Sequence, residues 1–148
     1  MIIFLDTSVL GLVTHPRAKG EAKKCCEWML QGLKAGEQFV IPEIADYELR
    51  RSYVLNDLSE SLARLDELKK QISYCEITTA AMILAATFWA RMRKEGSPTA
   101  DDLDLDADMI LAAQYEVYQA HGQPKIVATT NLKHLDKLTT ARTWESIT

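Results

Sequence analysis

Three short, almost wholly apolar runs constrain this chain most: MIIFL at 1–5, QFVIP at 38–42 and KIVAT at 125–129, with long segments of helical period between them. A run apolar at nearly every position, rather than at alternate ones, suits a strand covered on both faces. Strands of that kind alternating with helices imply a mainly parallel sheet sandwiched between helical layers. The expected fold class is therefore α/β, a three-layer α/β/α arrangement around four to five strands.

The segments between the runs are read as follows. Pro16 to Ala35 is helical, with Ala22, Cys25, Cys26, Met29, Leu30 and Leu33 at helical spacing and Gly36 as its stop. Pro42 ends the second strand and Glu43 opens a helical stretch to about Gln71, broken near Asn56-Asp57 and carrying Leu58, Leu62, Leu65 and Leu68 as an apolar face. Ile72 to Ile77 is a short third strand. Thr78 or Thr79 caps a helix running through Trp89 to Glu95, and Gly96-Ser97-Pro98 is the clearest loop. The segment DDLDLDADMILAAQYEVYQA is acidic first and apolar later, as the dipole of a helix start favours, and His121-Gly122 ends it. Leu132 to Leu138 reads as a short helix and Thr140 to Ile147 as a last strand.

The chain has 148 residues, 47% of them hydrophobic, which suits one domain spanning 1–148. Neither a membrane span nor a basic leader is read from it, and Cys25, Cys26 and Cys75 form no CxxC pair, so a cytoplasmic protein with reduced thiols is expected. A net charge of −4 disfavours non-specific nucleic-acid binding over the surface as a whole. It leaves room for a metal-dependent nuclease, because bound cations reverse the local sign.

Loops at the carboxyl ends of parallel strands converge on one crevice, so the polar residues there are the first candidates. Asp6 follows the first strand, Glu48 lies one to two helical turns after the second, and Asn131 follows the fourth; Asp108 joins them if its helix starts at the same edge. Each has a plainer reading alone: a turn cap for Asp6, a solvated helix residue for Glu48, a helix-start acid for Asp108, a turn residue for Asn131. Together, converging carboxylates repel one another unless a hard cation such as Mg²⁺ or Mn²⁺ neutralises them.

In their joint order these segments resemble the PIN-domain family, which includes the ribonuclease toxins of VapBC-type toxin–antitoxin pairs. LDTSVL at 5–10 is similar to the family's opening strand and first metal acid, IPEIADYELRR at 41–51 to the segment with the second, DADMILAAQ at 106–114 to the segment with the third, and VATTNLKHL at 127–135 to its final motif. The resemblance implies a metal-dependent endoribonuclease hydrolysing single-stranded RNA. Asp6, Glu48 and Asp108 would be catalytic and metal-binding, with Thr7, Ser8, Thr130, Asn131 and Arg51 positioning ligands or substrate. Many relatives carry an acid where this chain has His134, a poor ligand for Mg²⁺ but a tolerable one for Mn²⁺; the fourth acid is then absent or supplied by Asp106 or Asp104. Arg17, Lys19 and Arg50 are further candidates for backbone phosphate. The resemblance also implies an antitoxin partner and a homodimer, the latter in keeping with surplus apolar residues such as Trp28, Met29 and Tyr53. The alternative is a degenerate PIN-like domain that binds RNA or a protein without cutting. No GxGxxG, GxxxxGK[ST] or GxSxG motif supports a nucleotide cofactor, a P-loop or a serine hydrolase.

Overall fold

The computed structural model describes residues 1–95, 102–132 and 135–148, and side chains from 106 onward in the second of these segments. The elements in chain order are β1 (Ile2–Leu5), α1 (Thr7–Val13), α2 (Gly20–Lys34), β2 (Gln38–Pro42), α3 (Glu43–Leu55), α4 (Ser59–Gln71), β3 (Ser73–Cys75), α5 (Thr79–Lys94), α6 (Asp102–Val117), β4 (Lys125–Thr129) and β5 (Ala141–Thr143). The five strands form one sheet in the order β3-β2-β1-β4-β5, and every neighbouring pair is parallel.

Alternation along the buried strands sorts their side chains into two layers. Ile3, Leu5, Phe39, Ile41, Ile126 and Ala128 face one core with Val9, Leu10, Cys25, Met29 and Leu65, contributed by α1, α2 and α4. Ile2, Phe4, Val40 and Val127 face the other, against Ala107, Leu111 and Tyr115 of α6. Phe4 is fully buried, with Tyr115 and Tyr118 edge-on to its ring at 5.5 and 5.1 Å. α5 packs on α6 through Ala81, Ala85 and Ala113, with the larger Met92 and Met109 filling the seam between them.

Several expectations are adjusted. The helix α1 is absent from the sequence reading: TSVLGLV contains two valines and a glycine, weak helix formers, and the segment is helical because Asp6 caps it while Val9 and Leu10 are buried. The helix expected from Pro16 starts at Gly20, and the one expected to reach His121-Gly122 ends at Val117, with both of those residues at positive φ in the turn beyond. The last strand is only Ala141–Thr143, because the chain turns at Trp144–Ser146 to bury Trp144. The short helix after β4 is a 3-10 turn at Leu135–Lys137. Gly96-Ser97-Pro98 and His134 lie outside the described residues. Met29 and Tyr53 prove to be interior groups rather than surplus surface, and Trp28 is partly buried. Met29 and Tyr53 are buried, and Trp28 stacks edge-on against Phe39 at 5.3 Å while donating its Nε1 hydrogen to the Ile147 carbonyl.

The α3–α4 pair is held by Asp46, a buried carboxylate on the first turn of α3. It accepts hydrogen bonds from Arg50 Nε at 2.8 Å, Lys69 Nζ at 3.2 Å and the Tyr74 hydroxyl at 3.0 Å, joining α3, α4 and β3. Burial alone would raise its pKa, but the hydrogen bonds from Arg50, Tyr74 and Lys69 outweigh that and hold it below the ordinary carboxylate range. A carboxyl depressed in the fold contributes stability above its unfolded pKa, and that contribution is lost as pH falls through the folded value. Asp46→Asn should therefore destabilise the protein at neutral pH by roughly 2–4 kcal/mol, somewhat below the cost of breaking a fully buried pair because Arg50 and Lys69 can turn to water. The difference from wild type in urea titrations should shrink as the pH is taken into the acid range.

Candidate active site at the carboxyl edge

The site is built outward from the register of the two central strands. Phe4 pairs with Val127 and Leu5 with Ala128, so one further step sets Asp6 beside Thr129, both on the α6 side of the sheet. The Asp6 backbone N–H still donates to the Ala128 carbonyl at 3.0 Å, which fixes the residue at the end of the ladder. Its carboxylate then accepts from three donors: the Thr7 backbone N–H at 2.7 Å on Oδ1, and the Ser8 and Thr129 hydroxyls at 2.9 and 2.7 Å on Oδ2. It cannot turn away without breaking the cap of α1.

Thr7 has a second task. Its hydroxyl donates to Glu48 Oε1 at 2.8 Å, so adjacent groups of one residue hold both Asp6 and Glu48. Glu48 reaches this point because α3 starts directly after β2, and its sixth residue comes back over the sheet edge. Burial raises the pKa of the Glu48 carboxyl, the nearby charges of Asp6 and Asp108 raise it further, and the Thr7 hydrogen bond and Arg51 oppose them. Asp108, on α6, is thus near enough to act on Glu48 through its charge. The axial position of α6 is set by the buried Gln114, which accepts from the Ile44 N–H at 3.2 Å in the first turn of α3 and donates to the Cys75 carbonyl at the end of β3.

The remaining candidates fall in different places. Ser8 accepts from the Thr130 backbone N–H at 3.2 Å, and the Asn131 backbone N–H donates to the Thr129 hydroxyl at 3.0 Å; both side chains beyond β4 are exposed. Arg51 Nη2 lies 3.7 Å from Glu48 Oε2. Arg50 is engaged by Asp46 and Asp66, each at 2.8 Å, in the α3–α4 network, while Arg17 and Lys19 are exposed in the turn before α2. Asp106 is exposed and lines a groove with Met82, Trp89 and Ile110 between α5 and α6, roughly 200° around the helix from Asp108. The side chain of Asp104 lies outside those described.

Thr129 is the group the sequence reading passed over in favour of Thr130. Its signal was the register: a polar residue ending a buried strand, in phase with Val127, must stand next to whatever is in phase with Phe4 on the neighbouring strand. Cysteine chemistry has no part here. Cys25 is buried and its thiol is pushed up to about 12, chiefly by that burial.

Among the described residues no three acids, histidines or cysteines are drawn together into a ready metal cage. The donor set is nonetheless oxygen only, carboxylate and hydroxyl, and burial together with the charges of Asp6 and Asp108 makes Glu48 costly to ionise. That chemistry fits Mg²⁺ or Mn²⁺, and Mg²⁺ typically takes one or two carboxylates and keeps water for the rest.

No protein-family model and no curated protein sequence matches the chain. Solved structures do. A chain of VapBC2 from Rickettsia felis, bound to a DNA fragment from the promoter, aligns with a TM-score of 0.70 and 14% identity over 97% of this chain and 99% of that one. VapBC-1 from nontypeable Haemophilus influenzae gives 0.67 and 14%, covering 98% and 99%, and DNA-bound VapBC from Salmonella typhimurium gives 0.67 and 17%, covering 97% and 98%. The fold is PIN-like, and it matches the VapC toxins of these complexes over nearly the whole of both chains. At such identities the likeness establishes the fold alone.

A carboxyl whose pKa is raised by folding opposes the fold once ionised, so its penalty is absent below its unfolded pKa and complete only above its folded one. In metal-free buffer, Glu48→Gln keeps an oxygen for Thr7 and removes the charge. Its melting temperature should exceed that of wild type at neutral pH by roughly 2–4 °C, the response of a domain this size to about 1 kcal/mol. The gain should vanish in acid.

Proposed function

We propose that this chain is a metal-dependent endoribonuclease that hydrolyses phosphodiester bonds of single-stranded RNA, and that it acts as the toxin of a toxin–antitoxin pair. The observation that carries the reading is the double grip of Thr7 on Asp6 and Glu48, with the charge of Asp108 felt at Glu48, at the carboxyl edge of a wholly parallel PIN-like sheet. Carboxylates anchored by hydroxyls beside like charges are costly in an apo fold and useful once a cation joins them.

Asp6, Glu48 and Asp108 would hold Mg²⁺ or Mn²⁺. When bound, the cation supplies an acidified water and neutralises charge on the phosphate. The chain's own groups supply position and proton transfer. Asp6, oriented by three donors, has two of them on Oδ2 and one on Oδ1, which leaves Oδ1 as the oxygen with a lone pair to offer. Glu48, kept basic by burial and neighbouring charge, is the group suited to accept a proton from the attacking water. Thr7 and Ser8 hold these acids, the segment Thr130-Asn131 borders them with exposed side chains, and Arg51 offers a cation to the RNA backbone. A cytoplasmic site of action, a homodimer and an antitoxin that restrains the enzyme complete the proposal. Exposed Leu30, Val54, Leu55 and Ile83, rather than the buried Met29 and Tyr53, are among the apolar side chains open to such contacts.

Purified protein should cut single-stranded RNA in Mg²⁺ or Mn²⁺, and Asp6→Asn, which keeps the cap of α1, should lower the rate roughly a hundredfold or more while leaving circular dichroism unchanged. A folded Asp6→Asn protein that cuts as fast as wild type would refute the reading. RNA binding indifferent to chelator, with no cleavage in any divalent ion, would instead favour a non-catalytic binding domain.

A further inference from the structure

We propose that the exposed ring of Tyr47, with the Arg51 guanidinium laid over it, is a stacking platform for an RNA base next to the scissile phosphate. The inference rests on the ribonuclease reading above and adds a contact to it. α3 leaves β2 at the sheet edge, so its second turn carries Tyr47 and Glu48, with Arg51 one turn on along the same face. Side chains on a helix lean toward its N-terminus, which here directs all three toward the carboxyl edge of the sheet.

The three differ in what the fold asks of them. Ile44, Ala45 and Asp46 are buried and Glu48 is half-buried, but Tyr47 is 57% exposed and contributes little to either core. Arg51 lies over that ring with its Cζ 5.3 Å from the centroid, while its Nη2 is 3.7 Å from Glu48 Oε2. One side chain therefore links an open aromatic face to an acid of the proposed site. An aromatic ring flanked by a guanidinium is the pairing on which single-stranded RNA bases stack, the ring taking the base and the cation a neighbouring phosphate.

The surroundings favour a base over a protein side chain. The exposed apolar residues Val54, Leu55 and Leu58 begin two turns further along α3, roughly 10 Å away, with the charged Arg50 and Arg51 in between. A protein interface core is rich in Tyr and Arg but depleted of Glu, and here Glu48 lies within reach of the pair, whereas an aromatic beside a cation is a pattern of single-stranded nucleic-acid contact.

The test uses a short fluorescein-labelled RNA that the wild-type protein cuts. Tyr47→Ala should raise KM roughly tenfold, the scale of one base–aromatic stack, with little change in kcat. Tyr47→Phe, which keeps the ring, should restore the wild-type KM. An abasic site placed in turn at each position flanking the cut should, at one position, weaken binding to wild type and not to Tyr47→Ala, measured by anisotropy in the Asp6→Asn background with Mg²⁺. If wild type cuts and Tyr47→Ala has the same KM, the platform is wrong and the ribonuclease reading stands. If wild type neither cuts nor binds RNA, both fall. Loss of self-association in Tyr47→Ala with unaltered KM would assign the ring to a protein contact and overturn the platform.

Discussion

The pairing of β1 with β4 is the constraint on which the rest depends. Because Leu5 stands opposite Ala128, Asp6 and Thr129 are forced together beyond the last ladder positions, and a hydroxyl with no route to solvent donates to the carboxylate. A slip of one residue would turn Asp6 toward the opposite core and remove Thr129 from its reach. The same register aligns the apolar pairs Phe4–Val127 and Leu5–Ala128 within the two cores. Hydrophobic layering and site geometry are thus specified by one pairing.

Around that pair the structure spends its buried polar groups on placement. Thr7 couples the first acid to the second, Gln114 sets the height of the helix that bears the third, and Asp46 binds α3 to its neighbours so that Glu48 is carried on a braced element. Asp46 and Glu48 show how environment divides similar groups. Asp46 is surrounded by cations and a phenol and stays ionised easily; Glu48, two residues on, is harder to ionise because it is buried and lies beside other carboxylates. The first is a structural tie and the second a group suited to chemistry.

Much of the fold was legible in the sequence because buried parallel strands announce themselves. A mainly parallel sheet of four to five strands is read from MIIFL, QFVIP and KIVAT, the weaker strand signals near 72–77 and 140–147 and the helical segments between them, and the sheet has five strands, all parallel. Elements decided by tertiary contacts were not legible. α1 has poor local propensity and exists through its cap and two buried side chains, and β5 stops early because Trp144 is drawn inward. In the site, Asp6, Thr7, Ser8 and Glu48 were visible as polar residues at strand ends or by family resemblance. Thr129 was hidden because it depends on which strand lies beside β1; the resemblance singles out Asp108 as the third acid, but the place of Asp106 on another face was hidden because it depends on how α6 is rotated.

A wholly parallel sheet whose central strand comes first in the chain has a temporal consequence. β1 and α1 leave the ribosome early, yet β4 is separated from them by more than a hundred residues, and contacts of such separation form late. Until residues beyond 129 are released, the first acid lacks its hydroxyl partner and one of its two flanking strands. Joining of Asp6 to Thr129 therefore waits on β4, however soon β1 and α1 are made.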